Sequence, residues 1–183
     1  MEYYERYIEK NIKQLLHNKT VLEIQGMRSV GKSTILEKIA NKENYTYIKC
    51  TDLDFKRNFI QYPKSAFEEI LKKHQKHNKS NCIIFDEAQV LEELPQLVKD
   101  LVDTNNNYSI ILSGSRYIDR TGLAGTDPLV GRISARLKLY PLTNGEINSI
   151  PVEDTFIHQI INSKNIKKTI EEYQYISHQQ SYA

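Results

Sequence analysis

Thr20-Val21-Leu22-Glu23-Ile24-Gln25-Gly26-Met27-Arg28-Ser29-Val30-Gly31-Lys32-Ser33-Thr34 is the stretch that decides the reading of this chain. Residues 20–24 have the apolar, β-branched character of a short strand, and Lys32 to Ala40 places Ile35, Leu36 and Ile39 on one face of a helix. Between them, Gly26-Met27-Arg28-Ser29-Val30-Gly31-Lys32-Ser33 fits G-x-x-x-x-G-K-[ST] at every fixed position, in the strand-to-helix setting the motif requires. The glycines permit backbone torsions that turn successive N–H groups inward at the positive end of a helix, which makes a nest for phosphate oxygens. Lys32 is then expected to reach the β- and γ-phosphates of a nucleotide, with Thr34 beside the site. The Ser33 hydroxyl is a hard oxygen donor suited to Mg²⁺.

Two other strand ends complete the expected site. Ile83-Ile84-Phe85-Asp86-Glu87 is an apolar strand ending in two carboxylates, at the edge where open α/β sheets bind ligands. Asp86 is suited to hold Mg²⁺ through a water, and Glu87 to orient and deprotonate the water that attacks a γ-phosphate. The plainer alternative is an exposed acidic strand end capping the next helix. Ser109-Ile110-Ile111-Leu112 runs into Ser113-Gly114-Ser115, so either Ser113 or Ser115 could sense the γ-phosphate, unless this is an ordinary Gly-Ser turn.

Outward from these motifs, strands and helices alternate. Residues 3–17 read as an amphipathic helix, 45–50 as a strand, 66–77 as a helix, 81–85 as a strand, 94–102 as a helix, 108–112 as a strand and 132–139 as a strand ended by Pro141. That alternation predicts an α/β domain over 1–150, a parallel sheet covered on both faces by helices. Residues 151–183 read as a helical tail in which Ile166, Ile170 and Tyr173 share a face.

Composition narrows the partners. At 183 residues and 39% apolar content, one core is expected, and 25 Lys+Arg against 23 Asp+Glu leave a net charge of only +2, too little for wholesale binding to nucleic acid or anionic membrane. Cys50 and Cys82 read as buried, reduced thiols, and the absence of a signal-like or membrane-spanning stretch points to the cytoplasm. Lys72 to Lys79 reads as the solvated end of a helix rather than a nucleic-acid patch, and His74 and His77 as exposed surface.

Residues 20–146 resemble a family of bacterial and archaeal AAA-like ATPases in which an N-terminal ATPase module precedes a nuclease-like C-terminal domain. The resemblance rests on the phosphate loop with its internal Arg28, on Ile84-Phe85-Asp86-Glu87-Ala88-Gln89, on Leu112-Ser113-Gly114-Ser115, and on Leu129-Val130-Gly131-Arg132 followed by Leu139-Tyr140-Pro141-Leu142 and Glu146. It implies a P-loop NTPase sheet in the order 5-1-4-3-2 and hydrolysis of ATP with Mg²⁺. It also implies that Arg132 contacts the γ-phosphate region within or between subunits; pairing of Arg132 with a sheet-edge carboxylate is the structural alternative, and Arg116, Arg120 and Arg136 are rivals. The chain departs from the family in ending where a helical lid should continue and in lacking the nuclease-like domain, so either a truncated gene product or an isolated domain is expected, with weak hydrolysis. A DNA or protein partner would then be met through the missing domain. The competing reading is a nucleotide-gated binding module with little hydrolysis of its own; no Asn-Lys-x-Asp sequence favours guanine.

Overall fold

The apolar runs read above pair side by side in the computed structural model, which describes residues 3–16, 20–76, 80–104, 108–115, 127–155 and 158. The elements are α1 (Tyr7–Leu15), β1 (Val21–Gln25), α2 (Lys32–Glu43), β2 (Thr46–Lys49), α3 (Leu53–Gln61), α4 (Pro63–Lys76), β3 (Cys82–Asp86), α5 (Leu94–Asp103), β4 (Ser109–Gly114), β5 (Ile133–Lys138) and α6 (Asn144–Ile147), with 3₁₀ turns at Ala88–Val90 and Val152–Asp154. The five strands form one sheet in the order β2-β3-β4-β1-β5, and every pairing is parallel. This is the order 5-1-4-3-2 that the resemblance implied.

Burial on both faces explains why β1, β3 and β4 are almost continuously apolar rather than alternating. Leu22, Ile24, Ile84 and Ile111 pack under Ile12 of α1 and Ile35, Leu36 and Ile39 of α2. On the opposite face Ile83, Phe85, Ile110 and Leu112 pack under Phe59 of α3, Phe67 and Ile70 of α4 and Leu94 and Val98 of α5. Phe67 and Phe85 stack with ring centroids 6.0 Å apart. The sheet is therefore the middle of three layers.

Three local readings are corrected. Between β2 and α4 lies α3, which the apolar spacing did not reveal because Leu53 and Ile60 face solvent and Phe59 is its buried contact. Its signals were caps: the Asp52 carboxylate accepts the Phe55 N–H at 2.9 Å, and Pro63 follows at the first position of α4, where a missing N–H costs nothing. Helix α4 accordingly starts three residues earlier than the pattern suggested. His74 is not surface: it is 2% exposed, its Nδ1 lies 2.6 Å from Thr46 Oγ1, and its ring meets Tyr108 edge-on at 5.2 Å. The helix end is solvated through other residues, Lys72 and Lys73 facing Glu68 and Glu69. His77, Lys79, Arg116, Arg120 and the tail helix with Tyr173 lie outside the described residues.

The chain forms two compact units, Ile8–Pro141, which holds the sheet, and residues up to Tyr7 with those from Leu142 onward. In the second unit Glu146 is the organiser. Its carboxylate accepts the N–H groups of Tyr7 at 3.0 Å and Thr143 at 2.9 Å and pairs with Arg6 at 3.1 Å, while Thr143 caps α6 in return. Burial alone would raise the Glu146 carboxyl, but the two backbone donors and Arg6 outweigh it and hold the group below the ordinary carboxylate range. Both thiols, in the sheet unit, are buried; burial pushes Cys82 up to about 12, and burial with the Asp86 charge pushes Cys50 up as well.

Candidate functional site

Strand β1 hands the chain directly to the loop. Gly26 donates to the Gly114 carbonyl at 3.3 Å, continuing the β1–β4 ladder, and Leu139 donates to the Gln25 carbonyl at 2.7 Å on the other side. The approach leaves no room for a side chain: a Cβ on Gly26 would sit 2.5 Å from the Leu139 carbonyl oxygen. Beyond it the backbone turns through left-handed torsions at Ser29 (φ 63°) and Gly31 (φ 94°) before α2 begins. No side chain caps α2 and no carboxylate lies in its first turn, so the N–H groups there have no acidic partner of their own.

Met27, Arg28 and Ser29 form the exposed crest of the loop, with Val30, Gly31 and Ser33 half-buried and Thr34 exposed. Lys32 is 4% exposed, and its ammonium folds back over the loop to donate to the carbonyls of Gly26 and Met27, each at 2.9 Å. The same ammonium lies 3.9 Å from Glu87 Oε1. Loop and acidic tip thus meet, and the register explains how. Asp86 shares the face of Ile84, and Ser113 that of Ile111, both turned toward α2.

Asp86 is fully buried, with each carboxylate oxygen engaged. Ser113 Oγ donates to Oδ1 and Tyr47 Oη donates to Oδ2 at 2.7 Å. The Ser33 hydroxyl acts on the same Tyr47 oxygen, in the opposite sense to the Asp86 charge. Burial first, then the bond to Asp86 and its charge, raise the Tyr47 hydroxyl far above the ordinary tyrosine range, so it stays a donor. Glu87 sits in the left-handed region at φ 55°, uncommon for a residue with a Cβ, and its N–H donates to Ser113 Oγ at 3.3 Å. Gln89 Nε2 donates to the Glu87 carboxylate and lies 3.4 Å from Ser115 Oγ. Both serines therefore belong to this network, Ser113 on Asp86 and Ser115 on Gln89.

Arg132 stands elsewhere. It precedes β5, and because Val21 pairs with Ile133 and Gln25 with Lys138, it lies at the amino-terminal edge of a parallel sheet. The phosphate loop is at the other edge, roughly 16–20 Å away for six residues at about 3.3 Å each. There its guanidinium makes a two-pronged pair with Asp103, at 2.7 and 2.8 Å, which holds the Asp103 carboxyl below its usual range. Arg136 lies on β5, 2.9 Å from the buried Glu23. Tyr47 and Gln89 are members of this network that sequence reading did not assign; Tyr47 reaches Asp86 because β2 lies beside β3, which no local pattern encodes. Tyr47 also lines a cavity of about 400 Å³ beside edge strand β2, whose walls include Tyr45, Phe55 and His74.

Residues 18–148 match a family model described as an AAA domain, which covers well over half of the chain. The protein belongs to that AAA-domain family. Its fold is similar to that of a Walker-type ATPase of Pyrococcus abyssi, at 18% identity and a TM-score of 0.55, over 96% of this chain and 72% of that one. It is also similar to a replication initiator, DnaA, solved bound to AMPPCP and single-stranded DNA, at 16% identity and a TM-score of 0.50. That match covers 97% of this chain but 62% of the initiator, so the AAA domain spans less than two thirds of that relative's length. No curated protein matches the sequence. Among the described residues no helix is long and apolar enough to cross a membrane.

Proposed function

We propose that this AAA domain binds ATP through Gly26–Thr34 and hydrolyses it to ADP and phosphate with Mg²⁺. The observation that carries the reading is the meeting of Lys32 with Glu87 at 3.9 Å, which brings the phosphate loop and the acidic strand tip into one place. Lys32 now donates to two loop carbonyls, and exchanging them for β- and γ-phosphate oxygens replaces neutral acceptors with charged ones. The uncapped N–H groups of α2 take the remaining phosphate charge.

The Ser33 hydroxyl and the Asp86 carboxylate form an all-oxygen donor set that fits Mg²⁺, with Ser33 as direct ligand and Asp86 acting through water. Such an ion, when bound, neutralises charge building on the transferring phosphoryl group. Glu87 orients the attacking water and takes its proton, and Gln89 holds the carboxylate in place meanwhile. In this reading Ser113, tied to both Asp86 and the Glu87 main chain, and Ser115, through Gln89, register a γ-phosphate, a role their bonds to the acidic tip support.

Arg132 serves a second copy in this reading, because its own loop lies at the far edge of the sheet. The same placement favours slow turnover in a single chain, and with it the alternative that nucleotide occupancy gates a DNA or protein partner. Two buried thiols fit a cytoplasmic setting. The test is binding and hydrolysis of ATP and GTP by wild type, Lys32→Ala and Glu87→Gln, with and without DNA. Glu87→Gln should keep nucleotide and lose about 10²–10⁴ in turnover. Undiminished binding by Lys32→Ala would remove the phosphate loop from the account; binding without hydrolysis in the wild type would select the gated module.

A further inference from the structure

The Tyr47 hydroxyl stands between the two groups assigned above to the metal. It donates to Asp86 Oδ2 at 2.7 Å and interacts with the Ser33 hydroxyl, while Ser113 occupies the other Asp86 oxygen. Tyr47 is reached across the sheet, its backbone paired with Ile84 two residues before Asp86, so its ring lies along the same face as the acidic tip. Two hydroxyls, of Tyr47 and Ser113, therefore hold the two oxygens of a carboxylate with no exposure to solvent, and the Ser33 hydroxyl acts on Tyr47.

From this geometry we infer that Tyr47 is a positioning residue for Mg²⁺, orienting the Ser33 hydroxyl and the Asp86 carboxylate without itself touching the ion. An alcohol oxygen has one proton and two lone pairs. With the Ser33 proton directed onto Tyr47 and the Tyr47 proton onto Asp86, the Ser33 lone pairs are left for the loop side. With one lone pair of each Asp86 oxygen already filled, the carboxylate cannot rotate and keeps its remaining lone pairs in a fixed plane. Without the Tyr47 hydroxyl the Ser33 proton turns toward the nearest carboxylate and a buried Asp86 oxygen loses its donor. Both changes disfavour the ion in a preorganised site.

The inference rests on the nucleotide reading above, and one titration separates the two. A fluorescent ATP analogue is bound to wild type and to Tyr47→Phe, first in EDTA and then across a Mg²⁺ series. Tyr47→Phe should remain folded at the temperature of the titration, bind the analogue in EDTA as wild type does, and need about tenfold more Mg²⁺ at the midpoint, the size of one charge-assisted hydrogen bond. In an Asp86→Asn background the same substitution should add no further shift, because the effect travels through that carboxylate. An unchanged or lowered midpoint in Tyr47→Phe, or a full shift in the Asp86→Asn background, would overturn the positioning role and leave ATP binding standing. Wild type that ignores Mg²⁺ or fails to bind the analogue would sink the ATP reading and this inference with it. If Tyr47→Phe does not fold, p-aminophenylalanine at that position, which keeps ring and donor, decides the matter: a near-wild-type midpoint supports the role and a large shift refutes it.

Discussion

Gly26 is constrained by Leu139, just past the end of β5, rather than by its own torsions. A methyl group there would press on a main-chain oxygen that cannot swing away, so Gly26→Ala should lower stability by about 1–3 kcal/mol in urea unfolding and weaken nucleotide binding together. Ser113 offers a second residue-level test. Ser113→Ala strips one Asp86 oxygen of its donor and the Glu87 N–H of its acceptor inside a closed core, at a cost of about 1–3 kcal/mol by the same assay. At this scale the candidate site was legible wherever chemistry fixes residue type and spacing at once: the loop glycines, Lys32, Ser33 and the paired carboxylates. Tyr47 was not legible, since tyrosines are common and its hydroxyl matters only because β3 lies alongside. His74 was misread for a related reason. The lysines around it describe the solvent side of α4, and nothing local says that the opposite side meets Thr46 and Tyr108.

Elements were read best where both termini carried a signal. Helix α2 is bounded by Gly31 and by Asn44 in the left-handed conformation, and β1, β3 and β4 were visible as apolar runs with polar ends. Helix α3 escaped because its buried face is one phenylalanine wide. Helix α6 has four residues and could not show a period, yet it is the element whose pH dependence can be worked out. Glu146 has a folded-state value below its unfolded one, so the ionised form stabilises the fold at neutral pH. That contribution is present above the ordinary carboxylate range, near pH 4.3, and is lost as pH falls through the lowered folded value. Thermal melts should therefore decline on acidification below about pH 5. Glu146→Gln should melt lower than wild type at pH 7 and lose less on acidification. Across the sheet edge, Arg136→Met removes a partner of the buried Glu23 and should cost about 1–3 kcal/mol, read by urea unfolding.

For the whole molecule, the order of strands is the property that no single stretch of sequence contains. Alternation of strands and helices implied a parallel sheet, but the insertion of β4 between β1 and β3 was available only through family resemblance. The parallel run of β5 beside β1 sets Arg132 and the phosphate loop at opposite edges and makes a concentration-dependent prediction. If Arg132 acts on a neighbouring copy, turnover per chain should rise with protein concentration, and Arg132→Ala should abolish the rise while leaving ATP affinity in dilute solution unaltered. A flat profile in wild type would end that role for Arg132. The clasp between Gly26 and Leu139 has a mechanical corollary. Strand β5 is held along one side only, and Leu139, the residue just after it, is also a wall of the phosphate loop. A load applied to the chain beyond Pro141 would reach the sheet at Leu139 first, so tension there would prise open the loop before it disturbed the buried strands, and ligand release would be the earliest response to pulling.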